Sequence, residues 1–215
     1  MPPLNKKLLS QLLWFYVGLG VLTLGVGAVI RAGVGAGPWD IFHLGVATQT
    51  GIAFGQVVQG MGVVIILLNL ALGIKPSLGT VLNMLSVGPM MQFWVSVLPA
   101  PPSPALRWVW LAAGILINGI GVALYTSAGI GSGPRDGMMI GLTRRLGAPI
   151  GLVKNGLDLI VALVGWRLGG PLGLGTAVVV VCLGQAVQLG MGAVRRLAVH
   201  EPFSRFVVPV SLKRT

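Results

Sequence analysis

Residues 32–40 read AGVGAGPWD, and residues 128–136 read AGIGSGPRD. The second stretch repeats the first 96 positions later, and both close on a proline, one variable residue and an aspartate. Glycines at 33, 35 and 37 open φ values that other residues avoid and let another backbone approach closely. Proline is preorganised for the first turn of a helix and wastes no N–H there. The aspartate then falls at the third helical position, where a carboxylate favours the positive end of the helix dipole. Each stretch predicts a chain break followed by a new helix.

At the same offset Trp14–Gln92 aligns with Trp110–Gln188 without a gap, and 23 of the 79 pairs are identical, 12 of them glycine. Shared apolar letters would say little between two membrane segments. Glycines, a proline and an acid at fixed offsets say that the halves share one backbone. The organisation read from this is a first membrane repeat over residues 1–98, a second over 105–196 and a basic tail over 197–215. Within the first repeat the expected helices are about 8–31, 38–50, 54–73 and 77–98, with the break at Gly33–Gly37.

Hydrophobic residues make up 54% of the chain and charged ones 9%, against about a quarter charged in a typical soluble domain. Apolar runs at Leu8–Ile30, Phe54–Gly73, Leu78–Leu98, Trp108–Tyr125, Ile150–Gly165 and Leu172–Val194 approach or exceed the roughly 20 residues a bilayer-crossing helix needs. The fold class is an all-α polytopic membrane protein. The first run, behind Lys6-Lys7, resembles a secretory signal. It is longer than a signal h-region and no small-residue cleavage site follows promptly. It also aligns with an internal segment, so it is expected to stay in the mature protein.

The formal charge of +11 comes from 15 Lys/Arg against 4 Asp/Glu. The basic residues flank apolar runs, as the positive-inside rule places them, and no aromatic-basic face suited to stacking bases is present. The expected partners are therefore the lipid bilayer and a small molecule or ion, not nucleic acid. The single Cys182 can make no intramolecular disulfide.

The segment 38–50 would be about 20 Å long at 1.5 Å per residue, short of a core of about 30 Å. It carries Asp40, His43, Thr48, Gln49 and Thr50, poor residues to show to lipid. It is expected to be a re-entrant half-helix buried in protein, which leaves three full spans per half. An odd number makes the halves an inverted repeat. Arg144-Arg145 align with Thr48-Gln49, Lys75 with Pro171 and Lys154 with Val58, differences that opposite membrane faces explain. With both termini cytoplasmic, twelve basic residues fall inside and three (Arg31, Arg107, Arg167) outside.

Inverted repeats place solute and ion sites where discontinuous helices meet near the midplane. The candidate site is Gly35, Gly37, Pro38 and Asp40 with their copies Gly131, Gly133, Pro134 and Asp136. Lys154, Asn155 and Asp158 form a second, asymmetric group. Asp158 aligns with Gly62, and Lys154 sits one turn away where the two can meet. The simpler readings are helix caps for the two repeated aspartates and a mutual ion pair for Lys154–Asp158. His43 follows Asp40 by three residues and could share its proton, but its copy is Met139. Thr80 and Thr176 read as local backbone partners.

The sequence contains no metal-binding His/Cys/Asp cluster and no paired Ser-His arrangement, so no cofactor and no enzyme activity are expected. The expected function is secondary transport of a small solute. The alternative is a channel of paired re-entrant helices, for which a homodimer would supply a path on its axis. A structural or assembly role gives no reason to keep two costly breaks.

GAGPWD at 35–40, GIAFG at 51–55 and LGT at 78–80 resemble the bacterial integral membrane proteins grouped as the YczE/YyaS/YitT-like family, over roughly residues 8–196. The resemblance implies a bacterial inner-membrane location and brings no settled substrate or mechanism. The second copy departs from the first at Arg135, where the first has Trp39. If the repeat is inverted, cysteines at Thr48 and Arg144 will react with a membrane-impermeant thiol reagent from opposite sides; same-side labelling would end that reading.

Overall fold

The computed structural model describes residues 6–198; residues 1–5, and the part of the expected basic tail from 199 onward, lie outside the described residues. The described chain forms eight helices: α1 Lys6–Ala32, α2 Pro38–Thr50, α3 Phe54–Ala71, α4 Leu78–Val97, α5 Pro104–Ser127, α6 Pro134–Leu146, α7 Ile150–Arg167 and α8 Leu174–Ala198. α2 and α6, like α3 and α7, begin and end 96 positions apart. Their ends have local causes. Gly37 and Gly133 are extended N-caps followed by proline, and Gly51 and Gly147 close the helices with left-handed backbone. The positive-φ glycines form four repeat pairs, including Gly33/Gly129 at 67° and 71° and Gly35/Gly131 at 131° and 124°. The breaks are one backbone written twice.

α1, α3, α5 and α8 are long and apolar enough to cross a membrane. α6 and α7 meet at a bend of 117° and together count as one further broken span or re-entrant element. That is four or five spans by length and composition, against the six expected. α4 is diluted by Asn83, Ser86 and Gln92, and α7 carries Lys154, Asp158 and Arg167. The outer surface is apolar, with Leu67, Leu159, Val181 and Leu189 each at least 60% exposed. Lipid accepts such a surface and water does not.

Lipid tails are as apolar as leucine, so burial of apolar area does not pull helices together in a bilayer; close packing over small residues does. The centre of the molecule follows that rule. Along α1 and α5 a Cβ on Gly18 would strike Tyr125, one on Gly25 would strike Asn118, one on Gly121 would strike Leu22 and one on Gly114 would strike Val29. The positions rise along α1 as they fall along α5, so the two helices run antiparallel. Adding 96 to one partner and subtracting it from the other turns Gly18–Tyr125 into Gly114–Val29, and Gly25–Asn118 into Gly121–Leu22. The crossing is its own image under exchange of the halves. Thr23, fully buried near its middle, satisfies its hydroxyl on the Leu19 carbonyl at 2.8 Å.

Each break is held by the other half. The Gly175 N–H donates to the Val34 carbonyl at 2.8 Å, and the Gly79 N–H donates to the Ile130 carbonyl at 2.8 Å. Gly35 lies against Thr176, and Gly131 against Ser77. Thr80 donates to the Ser132 carbonyl at 2.9 Å while its partner Ser77 caps α4. The short helices are exchanged in the same way. α2 packs Gly45 on Gly165 of α7, and α6 packs Gly137 on Asn69 of α3.

Replacing Gly25 or Gly121 by valine is expected to lower stability by about 1–3 kcal/mol or more through overpacking. Gly20→Ala, with open space around it, is expected to gain about 0.5–1 kcal/mol from the lost glycine entropy. Thermal unfolding of the detergent-solubilised protein measures both, and equal effects at all three sites would contradict the packing described.

Candidate functional site

Satisfied from behind by the opposite half, the two breaks turn their helix starts toward each other. Between them lies a cavity of about 640 Å³, within the range of small-molecule sites. Its wall contains Gly37, Pro38, Trp39 and Asp40 of the first half and Gly133, Pro134, Arg135 and Asp136 of the second. Thirty of its 34 lining residues fall into fifteen repeat pairs, among them Leu22/Asn118, Val26/Val122 and Val29/Tyr125 from the central crossing. The cavity therefore sits where exchange of the halves maps the molecule onto itself.

The lining side chains are far less symmetric than the backbone. Two carboxylates recur, but the other polar groups come from one half or the other. The first half supplies Trp39, His43 and Asn83; the second supplies Asn118, Tyr125, Arg135, Lys154, Asp158 and Gln188. Even the two aspartates differ. Asp136 accepts from the N–H of Gly133 at 3.2 Å, with Tyr125 beside it, and so completes the start of α6. Among the described residues Asp40 makes no hydrogen bond and no ion pair. It is half-buried at the cavity wall. The Asp40 carboxylate lies back against Gly37 without accepting its N–H, so the cap bond is formed at Asp136 and not at Asp40.

Arg135 lies over the ring of Trp39, 4.6 Å from its centroid, a distance at which a guanidinium is attracted to the negative face of the indole. It is within electrostatic reach of Asp40, Asp136 and Asp158 and in an ion pair with none of them. The Trp39 ring N–H donates to Asp158 Oδ1 at 3.1 Å. Asp158 Oδ2 accepts from Lys154 Nζ at 2.6 Å, with the lysine side chain half exposed. The ion pair expected from the sequence is formed, and Trp39 joins it to the start of α2.

His43, fully buried, lies one turn below Asp40 among the rings of Trp39, Phe42 and Phe54. Neither of its ring nitrogens has a partner. Asn69 donates to the Pro134 carbonyl at 2.8 Å and thereby fixes α6 to α3. Gly35 and Gly131 stand behind the site against Thr176 and Ser77, and Asn155 is exposed and outside the cavity wall. No group of three or more His, Cys, Asp or Glu able to hold a metal ion occurs among the described residues. The sequence signal for Arg135 was its place inside the break, between proline and aspartate. Trp39 holds the same place in the first break. Asn118 and Tyr125 carried no such signal, because they reach the cavity only through the packing of the halves.

A family model described as a family of unknown function (DUF6198) matches residues 9–191. An uncharacterised protein of Haemophilus influenzae is 32% identical over 199 residues, covering 93% of this chain and 89% of the relative. The uncharacterised membrane protein YczE of Bacillus subtilis is 31% identical over 190 residues, covering 87% and 88%. YyaS of the same organism is 25% identical over 179 residues, covering 80% and 87%. No solved structure matches the chain.

The difference between the aspartates is measurable. Asp136→Ala removes a charge-assisted bond to a half-buried N–H and is expected to cost about 1–2 kcal/mol. Asp40→Ala is expected to leave thermal unfolding unchanged or to raise the midpoint. Equal losses would make both aspartates caps.

Proposed function

The chain belongs to the DUF6198 family, and from its site we propose that it is a secondary transporter. It would carry a small solute across the bacterial inner membrane by alternating access, as an inverted repeat with α2 and α6 re-entrant. The observation that carries this reading is a contact made in one half and absent from the other. In the first half α3 and α4 are packed together. Gly55 and Gly88 meet backbone to backbone, and the Gly55 N–H donates to Gln92 Oε1 at 3.0 Å. The copies are Gly151, Gly184 and Gln188. Around Gly151 and Gly184 nothing lies within 4 Å of where a Cβ would be, and Gln188 is at the cavity wall without a hydrogen-bond partner.

Two halves with the same backbone can hold the same contact. That one does and the other does not describes a molecule closed between α3 and α4 and open between α7 and α8. In an inverted repeat the second state follows by exchange of roles: Gly151 would dock on Gly184, Gln188 would take the Gly151 N–H, and the first pair would part. The antiparallel α1–α5 crossing supports this inversion. With the N-terminus in the cytoplasm, the closed flank faces outward and the open one inward. The apolar exterior, the membrane-length helices and the description of YczE as a membrane protein agree with such a role.

Cysteine pairs in a Cys182→Ser background test the cycle without knowledge of the solute. Gln59 donates to the Leu85 carbonyl across α3 and α4 at 3.1 Å, so cysteines at 59 and 85 report the closed flank. Their copies at Asn155 and Val181 report the open one. In native membranes each pair is expected to cross-link with a short bifunctional thiol reagent. Trapping either pair first should exclude the other. Failure of the 155–181 pair to form, or formation of both bridges in one molecule, would overturn alternating access.

A further inference from the structure

We propose that the solute is a small zwitterion with an apolar body, its ammonium group held by Asp40 and its carboxylate by Arg135. The inference rests on the transport reading above and names the chemistry of its cargo. Five charged side chains border the cavity, and three are accounted for within the protein. Asp136 completes α6 through the Gly133 N–H, and Lys154 and Asp158 satisfy each other. The remaining two are the Asp40 carboxylate and the Arg135 guanidinium.

These two are of opposite sign and neighbours, since Arg135 rests on the ring of Trp39, the residue immediately before Asp40. Yet they form no ion pair and no hydrogen bond with each other. An unpaired charge in a low-dielectric interior is costly, and the cost falls only when an opposite charge or a hydrogen-bond partner arrives. A ligand bearing one charge would satisfy one group and leave the other exposed. A zwitterion satisfies both at once. The carboxylate suits a guanidinium, whose planar array of donors matches its two oxygens.

An independent feature lies beside Asp40. His43 is wholly buried on the next turn of α2, at the cavity wall, with both ring nitrogens unpartnered. Buried polar groups are normally paired, so the unpartnered ring offers the ammonium at Asp40 a second acceptor. The rest of the wall is apolar. Val26, Met84, Val87, Met91 and Leu183 face the same space, and methionine adapts to irregular shapes. The asymmetry between Trp39 and Arg135 also acquires a reason. A solute with two unlike ends needs one cation and one anion, so a strictly symmetric pair of breaks would read it poorly. Because Asp40 belongs to one half and Arg135 to the other, movement between the halves changes the spacing that the solute bridges.

The test uses the full chain in lipid nanodiscs, with thermal unfolding and titration calorimetry as readouts. The probes are L-leucine and L-phenylalanine, their amides, which lack the carboxylate, and their N-acetyl forms, which lack the ammonium. At least one zwitterion is expected to raise the unfolding midpoint and to bind at least tenfold more tightly than either single-charge counterpart. Asp40→Asn and Arg135→Gln should each abolish that response, and Arg135→Lys should restore part of it. Equal binding of an amide or an N-acetyl form, no response to either amino acid, or a response unchanged in both variants would overturn the assignment. The cross-linking experiment fails separately. Exclusive cross-links without zwitterion binding would remove the substrate class and keep transport; binding without the 155–181 bridge would do the reverse.

Discussion

The structure depends on two backbone hydrogen bonds that cross between the halves. A glycine break inside a membrane leaves N–H and C=O groups that neither lipid nor the interrupted helix can satisfy, and such groups are tolerated only where protein or a watered cavity supplies partners. Here the partner is the start of a helix in the opposite half, Gly175 for the Val34 carbonyl and Gly79 for the Ile130 carbonyl. A helix start has spare N–H groups by nature, so two deficits of opposite kind cancel. Gly35 and Gly131 follow from the same constraint, because a side chain there would strike Thr176 or Ser77. Once the breaks are docked, α2 and α6 have no freedom left except to point their first turns into the cavity.

Symmetry then divides the work. What must be equal in both halves is backbone: the central crossing and the docked breaks. What differs is side chain, and the differences collect at the cavity wall. Trp39 faces Arg135, His43 is repeated as Met139, and Gly62 as Asp158. The equivalent contacts Gly55–Gly88 and Gly151–Gly184 occupy two arrangements in a single molecule. Packed interfaces have discrete arrangements more readily than continuous ones, so an interface built twice and closed once is a natural two-state element.

Most of the fold was legible because the repeat could be counted. The break, the cap proline and the bounds of the short helices follow from residue types whose backbone preferences are narrow. The count of spans was less legible. Six were expected from the apolar runs, but Asn83 and Gln92 in α4 and three charges in α7 dilute those helices. The partners of the two amides, the cavity for Asn83 and Gly55 for Gln92, lie in other parts of the chain. At the site, both aspartates were visible as equals. Their inequality was not, because both carboxylates lie beside their own helix starts and only that of Asp136 accepts the N-cap N–H, a detail of side-chain geometry that the sequence does not state. Tyr125 and Asn118 were hidden for a different reason. They sit on a long apolar helix, and their approach to the breaks comes from the antiparallel crossing with α1.

The exchange of partners between halves also sets an order for biosynthesis. The Val34 carbonyl finds its donor only when Gly175 exists, near the end of the described chain. The first break therefore enters the membrane long before the segment that completes it, and α2 and α7 cannot reach their final packing while the ribosome is still making α5. A nascent first half carries an unmet polar segment that water, lipid headgroups or an insertion factor must shelter until α8 begins. Truncation before residue 175 would leave a chain that is inserted but never finished.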